Sequence, residues 1–164
     1  MPDARDTLDT SAIRAWCLAS AAALRAAQAE IDALNVYPVP DGDTGTNLYL
    51  TMRAVAEAVE RLPSDSDAVR VLEAMSRGAL MGARGNSGVI LSQLLRGAVD
   101  VLVDTADTGD PLDGVALQRA FERGAKLAWQ AVTHPVEGTI LTVARAAAEG
   151  ANLVSHRFRE AASL

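Results

Sequence analysis

Leu34-Asn35-Val36-Tyr37-Pro38-Val39-Pro40-Asp41-Gly42-Asp43-Thr44-Gly45-Thr46-Asn47 is the stretch on which the fold turns. Its prolines and glycines forbid a continuous helix, because proline removes a helical N–H and glycine carries extra backbone entropy. Pro38 and Pro40 equally forbid a strand leading into the acidic pair, since each would delete a ladder donor. The stretch is therefore a shaped loop, and both of its flanks read as helices. Upstream, Ile13, Trp16, Cys17, Leu24, Ile31 and Leu34 recur at helical spacing, with Thr10 as the expected N-cap and an end near Leu34. Downstream, from about Thr46, Leu48, Met52, Val55, Val59 and Leu62 share one helical face.

The pattern continues to the C-terminus. Pro63-Ser64-Asp65 breaks the chain before a third helix carrying Ala68, Leu72, Met75 and Ala79. A second glycine-rich loop, Gly82 to Gly88, precedes a fourth helix through Ile90, Leu94, Gly97 and Val101. A polar connector from Asp104 to Pro111 leads to a fifth helix with Leu117, Phe121, Ala128 and Val132. His134-Pro135 stops that helix, and a sixth is expected from near Glu137 onward. Val99 to Val103 could be taken for a short strand, but its alanine-rich helical neighbours argue against one. Alanine, the best helix former, is the commonest residue, and aromatics are only 4%. The 164 residues thus read as one all-α domain, a bundle joined by short turns.

Composition excludes several functional classes. Lys plus Arg total 15 against 21 Asp plus Glu, for a net charge of −6 and a pI near 4.8, the reverse of a nucleic-acid-binding footprint. Lys126 is the only lysine, and the arginines are scattered along the chain with no cluster. The lone Cys17 excludes an internal disulfide and a cysteine-cage metal site. It reads as inert filling in a protein of the reducing cytoplasm. No apolar run is long enough for a membrane span, and the acidic opening Met1-Pro2-Asp3-Ala4-Arg5-Asp6 is not a signal peptide.

Half of the glycines fall in two windows that each open a helix. Asp41-Gly42-Asp43 sets two carboxylates around a pivot, where they repel unless a cation lies between them. Mg²⁺ suits such a pair, because it takes a few carboxylates and keeps phosphate oxygens and waters for the rest. The plainer reading is an Asx-turn, or a helix cap by Asp43 or Thr44. In the second window Gly82, Gly85 and Gly88 recur every third residue around Asn86-Ser87. Free N–H groups and the positive helix end then face one point, a ready phosphate site; the plainer reading is a close helix–helix turn. A metal site and an anion site together are what nucleotide-dependent phosphoryl transfer needs.

Other readings fail. No Gly-Lys-Ser/Thr follows for a Walker A loop, and no strand precedes for a dinucleotide fingerprint. A dehalogenase-type Asp-x-Asp needs a strand where Pro38 and Pro40 stand. An EF-hand counted from Asp41 would put Gly45 and Met52 at ligand positions. Glu137 reads as a first-turn residue favoured by the helix dipole. His156 reads as surface, and Trp16 and Trp129 as core or rim.

The loop Leu34 to Asn47 resembles the nucleotide-binding L domain of dihydroxyacetone kinases. More closely it resembles the N-terminal kinase domain of bacterial fatty acid kinases of the FakA type. Gly82-Ala83-Arg84-Gly85-Asn86-Ser87-Gly88-Val89-Ile90-Leu91-Ser92-Gln93 and Pro135-Val136-Glu137-Gly138-Thr139-Ile140-Leu141-Thr142 match the same subgroup in the same order. The resemblance runs from about residue 8 onward and implies an antiparallel helical barrel or bundle with the nucleotide at one rim. It implies Asp41 and Asp43 as catalytic metal ligands holding two Mg²⁺ ions against ATP. Gly85, Asn86, Ser87 and Gly88 would cradle its phosphates, and Thr46, Asn47 and Thr139 would line the nucleotide pocket. The acceptor would be the carboxylate of a fatty acid presented by a DegV-like carrier protein, and the product an acyl phosphate. A carboxylate is already an ionised nucleophile, so metals and positioning suffice without a base. A homodimer, and no nucleic-acid partner, complete the expectation.

The sequence departs from that pattern in two places. Dihydroxyacetone kinases have a third aspartate before the pair, where Asn35 stands nearest and Asp32 lies one turn earlier; Asn35 is thus the expected third metal ligand, through its carbonyl oxygen. Family members also add at least one further glycine-rich helix, so residues 1–164 are expected to be a single kinase domain lacking it. Two alternatives stand beside the fatty acid kinase: a dihydroxyacetone-type kinase subunit, and a non-catalytic nucleotide-binding regulatory module.

Overall fold

The structure is a computed structural model that describes residues 7–37 and 39–162, with side chains as far as residue 153. The opening acidic residues, Pro38 and the side chain of His156 lie outside that description. The described residues form six helices and no strand: α1 (Thr10–Leu34), α2 (Thr44–Glu60), α3 (Ala68–Gly82), α4 (Gly85–Asp107), α5 (Gly114–Gln130) and α6 (Ile140–Ala162). The all-α bundle is as expected, and Val99 to Val103 lie within α4.

Aspartates start three of the helices. Asp9, rather than Thr10, caps α1, its carboxylate accepting from Ala12 N–H at 2.7 Å. Asp67 accepts from Arg70 N–H at 2.8 Å, and Asp113 from Val115 and Ala116 N–H at 2.9 Å. Each satisfies first-turn donors that a helix cannot satisfy itself.

Consecutive helices run antiparallel and pack as neighbours. Near the start of α1, Arg14 donates to the carbonyls of Val59 and Pro63 at the end of α2. Leu8 N–H donates to Leu112 O in the α4–α5 connection at 2.8 Å. The connections after α1, α3 and α5 therefore share one end of the bundle, and those after α2 and α4 the other. Among the described residues α1 and α6 share no contact.

The core is built from the expected faces. Met52, Val55 and Val59 of α2 meet Val71, Leu72, Met75 and Ala79 of α3, with Ile13 and Cys17 from α1 and Leu95, Val99 and Leu102 from α4. Burial pushes the Cys17 thiol up to about 11, in keeping with inert filling. Trp16 and Leu34, read as part of the α1 stripe, are instead exposed, at 48% and 71%. The stripe is narrower than its periodicity implied because, among the described helices, α1 packs against α2 and α3 alone.

Small residues let the helices approach closely. A Cβ on Gly97 of α4 would lie 2.7 Å from the Arg123 carbonyl oxygen of α5, and one on Gly124 2.6 Å from the Leu94 carbonyl oxygen. The two glycines are reciprocal, and their helices touch main chain to main chain.

Several boundaries differ from expectation; α2 starts at Thr44 and ends before Leu62, and α5 stops at Gln130, short of Val132. Only Ala83 and Arg84 separate α3 from α4, so Gly85, Asn86 and Ser87 form the first turn of α4 rather than a loop. The helix also runs on to Asp107, four residues into the expected connector. Finally, α6 starts at Ile140 instead of Glu137. The residues before it form their own turn: Thr142 Oγ1 donates to Glu137 at 2.7 Å and accepts from Gly138 N–H at 2.9 Å.

Candidate functional site

The starts of α2 and α4 meet at one end of the bundle, but their exposed N–H groups fare differently. Asp32, in the last turn of α1, accepts from Thr46 N–H at 3.0 Å and Thr46 Oγ1 at 2.8 Å. Gln28 donates to the same hydroxyl at 2.8 Å. Burial pushes the Asp32 carboxyl up, yet hydrogen bonds from Thr46 and Gly45 outweigh it and hold the group below its ordinary value. Asn35 Oδ1 accepts from Thr44 N–H at 3.1 Å and from the Thr44 hydroxyl. The first turn of α2 is thus satisfied by the chain itself.

The start of α4 has no such partner. Arg84 occupies its N-cap position and gives no side-chain cap bond, since a guanidinium has no acceptor to offer. Gly88 N–H bonds to Arg84 O at 2.9 Å, while those of Gly85, Asn86 and Ser87 find no acceptor among the described residues. Gly85 holds φ +57°, a conformation open to glycine at no steric cost. A side chain there would also strike Asn47, whose amide nitrogen lies 2.3 Å from the ideal Cβ position. The Asn47 side chain is itself buried, at 8% exposure, and makes no hydrogen bond to the described residues. Ser87 Oγ lies 3.4 Å from Thr44 Oγ1 and ties the two helix starts together.

Asp41 and Asp43 stand beside this junction, both exposed. Neither carboxylate makes a hydrogen bond or ion pair with the described residues. Asp43 sits at the N-cap position of α2 but does not cap it, because Asp32 and Asn35 have taken that task. Gly42 between them holds φ +64°. Hard, unpaired oxygens in this number suit Mg²⁺, which binds through one or two carboxylates plus phosphate oxygens. Among the described residues no three His, Cys, Asp or Glu side chains gather into a metal cage, so further ligands would come from a bound molecule or water.

The expected site residues do not all stand alike. Asn35, Thr46, Asn47, Gly85, Asn86, Ser87 and Gly88 come together at the α2–α4 junction. The Asn35 oxygen expected to reach a metal is engaged by Thr44, and its amide nitrogen donates to Val39 O at 2.8 Å. Thr46 is engaged by Asp32 and Gln28. Thr139 lies at the same end, before α6, where its hydroxyl donates to Val136 O at 2.8 Å. No hydrogen bond joins it to the junction. Glu137, read as a dipole-favouring residue, holds Arg145 at 2.7 Å, and Arg145 lies 5.7 Å over the Trp129 ring. The structure adds Thr51, whose Oγ1 accepts from Arg84 N–H at 3.2 Å and donates to Asn47 O at 2.7 Å. Its place one turn after Asn47 was the only available signal.

The described helices include none long and apolar enough to cross a membrane. A family model described as the DAK2 domain matches residues 38–163. Protein YloV of Bacillus subtilis is 46% identical over 151 residues, covering 92% of this chain and 26% of that protein. An uncharacterized protein of Staphylococcus saprophyticus is 51% identical over 121 residues, 74% of this chain and 21% of its own. One from Staphylococcus haemolyticus is 50% identical over the same shares. The chain spans between about a fifth and a quarter of the length of these curated relatives.

Proposed function

This chain belongs to the DAK2 domain family, and from that premise we propose that it is the nucleotide-binding kinase domain of a fatty acid kinase. It would transfer the terminal phosphoryl group of ATP to the carboxylate of a fatty acid held by a DegV-like carrier protein, giving an acyl phosphate. The observation that carries this reading is the contrast between two adjoining helix starts. That of α2 is filled by Asp32 and Asn35, while that of α4 is open beside two unpaired carboxylates.

Asp41 and Asp43 would hold two Mg²⁺ ions, which neutralise phosphate charge when bound. The N–H groups of Gly85, Asn86 and Ser87 point with the α4 dipole toward where an anion would lie. Asn47, whose amide lies against Gly85, offers a donor beside them. Thr46 and Asp32 position the loop, and Asn35 shapes it; Asn35 would reach a metal only by releasing Thr44. Thr139 would approach the nucleotide from the α6 side. The fatty acid reading over a dihydroxyacetone-type kinase rests on the wording of the loops, Asn-Val-Tyr-Pro-Val-Pro and Ala-Arg-Gly-Asn-Ser-Gly.

Calorimetric titration of ATP with Mg²⁺ tests the nucleotide reading. Binding should require the metal and be lost in Asp41→Asn and Asp43→Asn; a folded chain that binds no nucleotide would overturn it. Phosphoryl transfer to a fatty-acid-loaded carrier tests the acceptor, and turnover of a small hydroxylated ketone instead would move the assignment to the dihydroxyacetone type.

A further inference from the structure

A groove of about 690 Å³ runs between α2 and α3 and ends at Arg84, beside the α2–α4 junction. Its floor is made of small residues: a Cβ on Gly78 would lie 2.8 Å from the Ala58 Cβ, so the helices touch there and longer side chains rise on both sides. Arg61, Arg70, Arg77 and Arg84 line those walls, with Glu57 and Glu73. The arginines looked scattered in sequence; the fold gathers these four.

Charge in the groove is not balanced. Glu57 lies 3.4 Å from Arg53 and 3.4 Å from Arg61. Among the described residues Arg70, Arg77 and Arg84 have no carboxylate within ion-pair distance, and Glu73 has no cation. The Arg84 guanidinium bonds instead to the carbonyls of Gly82 and Ala83, at 3.5 and 3.1 Å. In a chain of net charge −6, this trough carries a surplus of positive charge. Arg70 and Arg77 stand two helical turns apart, roughly 10 Å along α3, and Arg84 lies just past its end. A single phosphate group cannot span that row, whereas a helix with carboxylates every seventh residue can.

We infer that the α2–α3 groove docks an acidic α-helix of a partner protein, gripped by Arg70, Arg77 and Arg84. The inference stands apart from the proposed kinase activity. Its position gives the docked helix a line to the other site. Arg84 reaches into the groove with its side chain, while its N–H bonds Thr51 and its carbonyl accepts from Gly88 N–H at 2.9 Å. Whatever grips the guanidinium holds the connection that positions the start of α4.

The test is fluorescence anisotropy with a labelled helical peptide of about three heptads carrying Glu at every seventh position, beside its Gln counterpart. The chain should bind the Glu peptide at least about tenfold more tightly, with affinity falling as salt rises. The double variant Arg70→Glu/Arg77→Glu should lose that binding. Arg25→Glu/Arg96→Glu, the same charge change at exposed positions elsewhere, should keep it, with circular dichroism confirming both folds. Equal affinity for the two peptides, or binding untouched by the groove variant, overturns the inference. So does tight tripolyphosphate binding at these arginines without peptide binding, which would make the groove a small-anion site.

Discussion

Asp32 caps a helix that is not its own: from the last turn of α1 it receives both the N–H and the hydroxyl of Thr46, at 3.0 and 2.8 Å. Asp43, in the local position to do this, is thereby left with both oxygens unused. The two aspartates have exchanged the parts that sequence proximity would assign them.

Removing each should therefore have different effects. Asp32→Ala deletes the α2 cap and should lower the melting temperature by roughly 3 °C, whereas Asp43→Ala should leave it within about 1 °C. Thermal melts followed by circular dichroism decide the matter, and equal losses would mean that Asp43 caps α2 in solution.

Ligand binding should follow the opposite order. Asp41→Asn and Asp43→Asn remove charge without breaking an internal bond, so metal-dependent nucleotide affinity should fall by at least about a hundredfold while the fold stays intact. Titration calorimetry on the two variants measures this. Undiminished affinity would place the metal elsewhere.

Glycine substitutions should separate contact from conformation. Gly97→Ala drives a methyl against the Arg123 carbonyl and should cost about 2–3 kcal/mol. Gly150 lies within α6 with nothing within 4 Å of an added Cβ, so Gly150→Ala should stabilise by about 0.5–1 kcal/mol. Urea unfolding of both variants, read at constant m, checks the pair.

Acid should loosen the loop-bearing end. Hydrogen bonds from Thr46 and Gly45 outweigh burial at Asp32, and bonds from Thr142 and Arg145 act on Glu137, so both carboxyls sit below their ordinary values. A lowered folded pKa means stability that is fully present above the unfolded value and is lost as pH falls through the folded one. The melting temperature should thus be flat near neutrality and drop below about pH 4. Glu137→Gln should remove part of that slope, and an unchanged slope would show that Glu137 carries none of it.

The helical pattern was legible because it is local. Leu48, Met52, Val55 and Val59 announce the buried face of α2, and all four are buried. The proline-bearing break after Leu34 and the glycine window before α4 fell where the chain turns. What escaped depends on contacts distant in sequence. Asp32 lies fourteen residues before Thr46, and no capping signature links residues across two helices. The extent of α4 was misjudged because glycine was weighed as a breaker, although Gly85 and Gly88 answer to the close approach of Asn47 and Thr51. Likewise, arginines at 61, 70, 77 and 84 become a group only once α2 and α3 lie side by side.

The loop from Asn35 to Asp43 is held at its base by Thr44 on Asn35 and, just beyond, Thr46 on Asp32, and within by Asn35 on Val39. The freedom of that base is therefore reduced when the chain folds, before a ligand arrives. Ligands that differ at this end should share a fast arrival rate and differ in how long they stay. Loosening the neck, as in Asn35→Ala, should slow capture itself, a change that stopped-flow mixing would see even where equilibrium affinity is little altered.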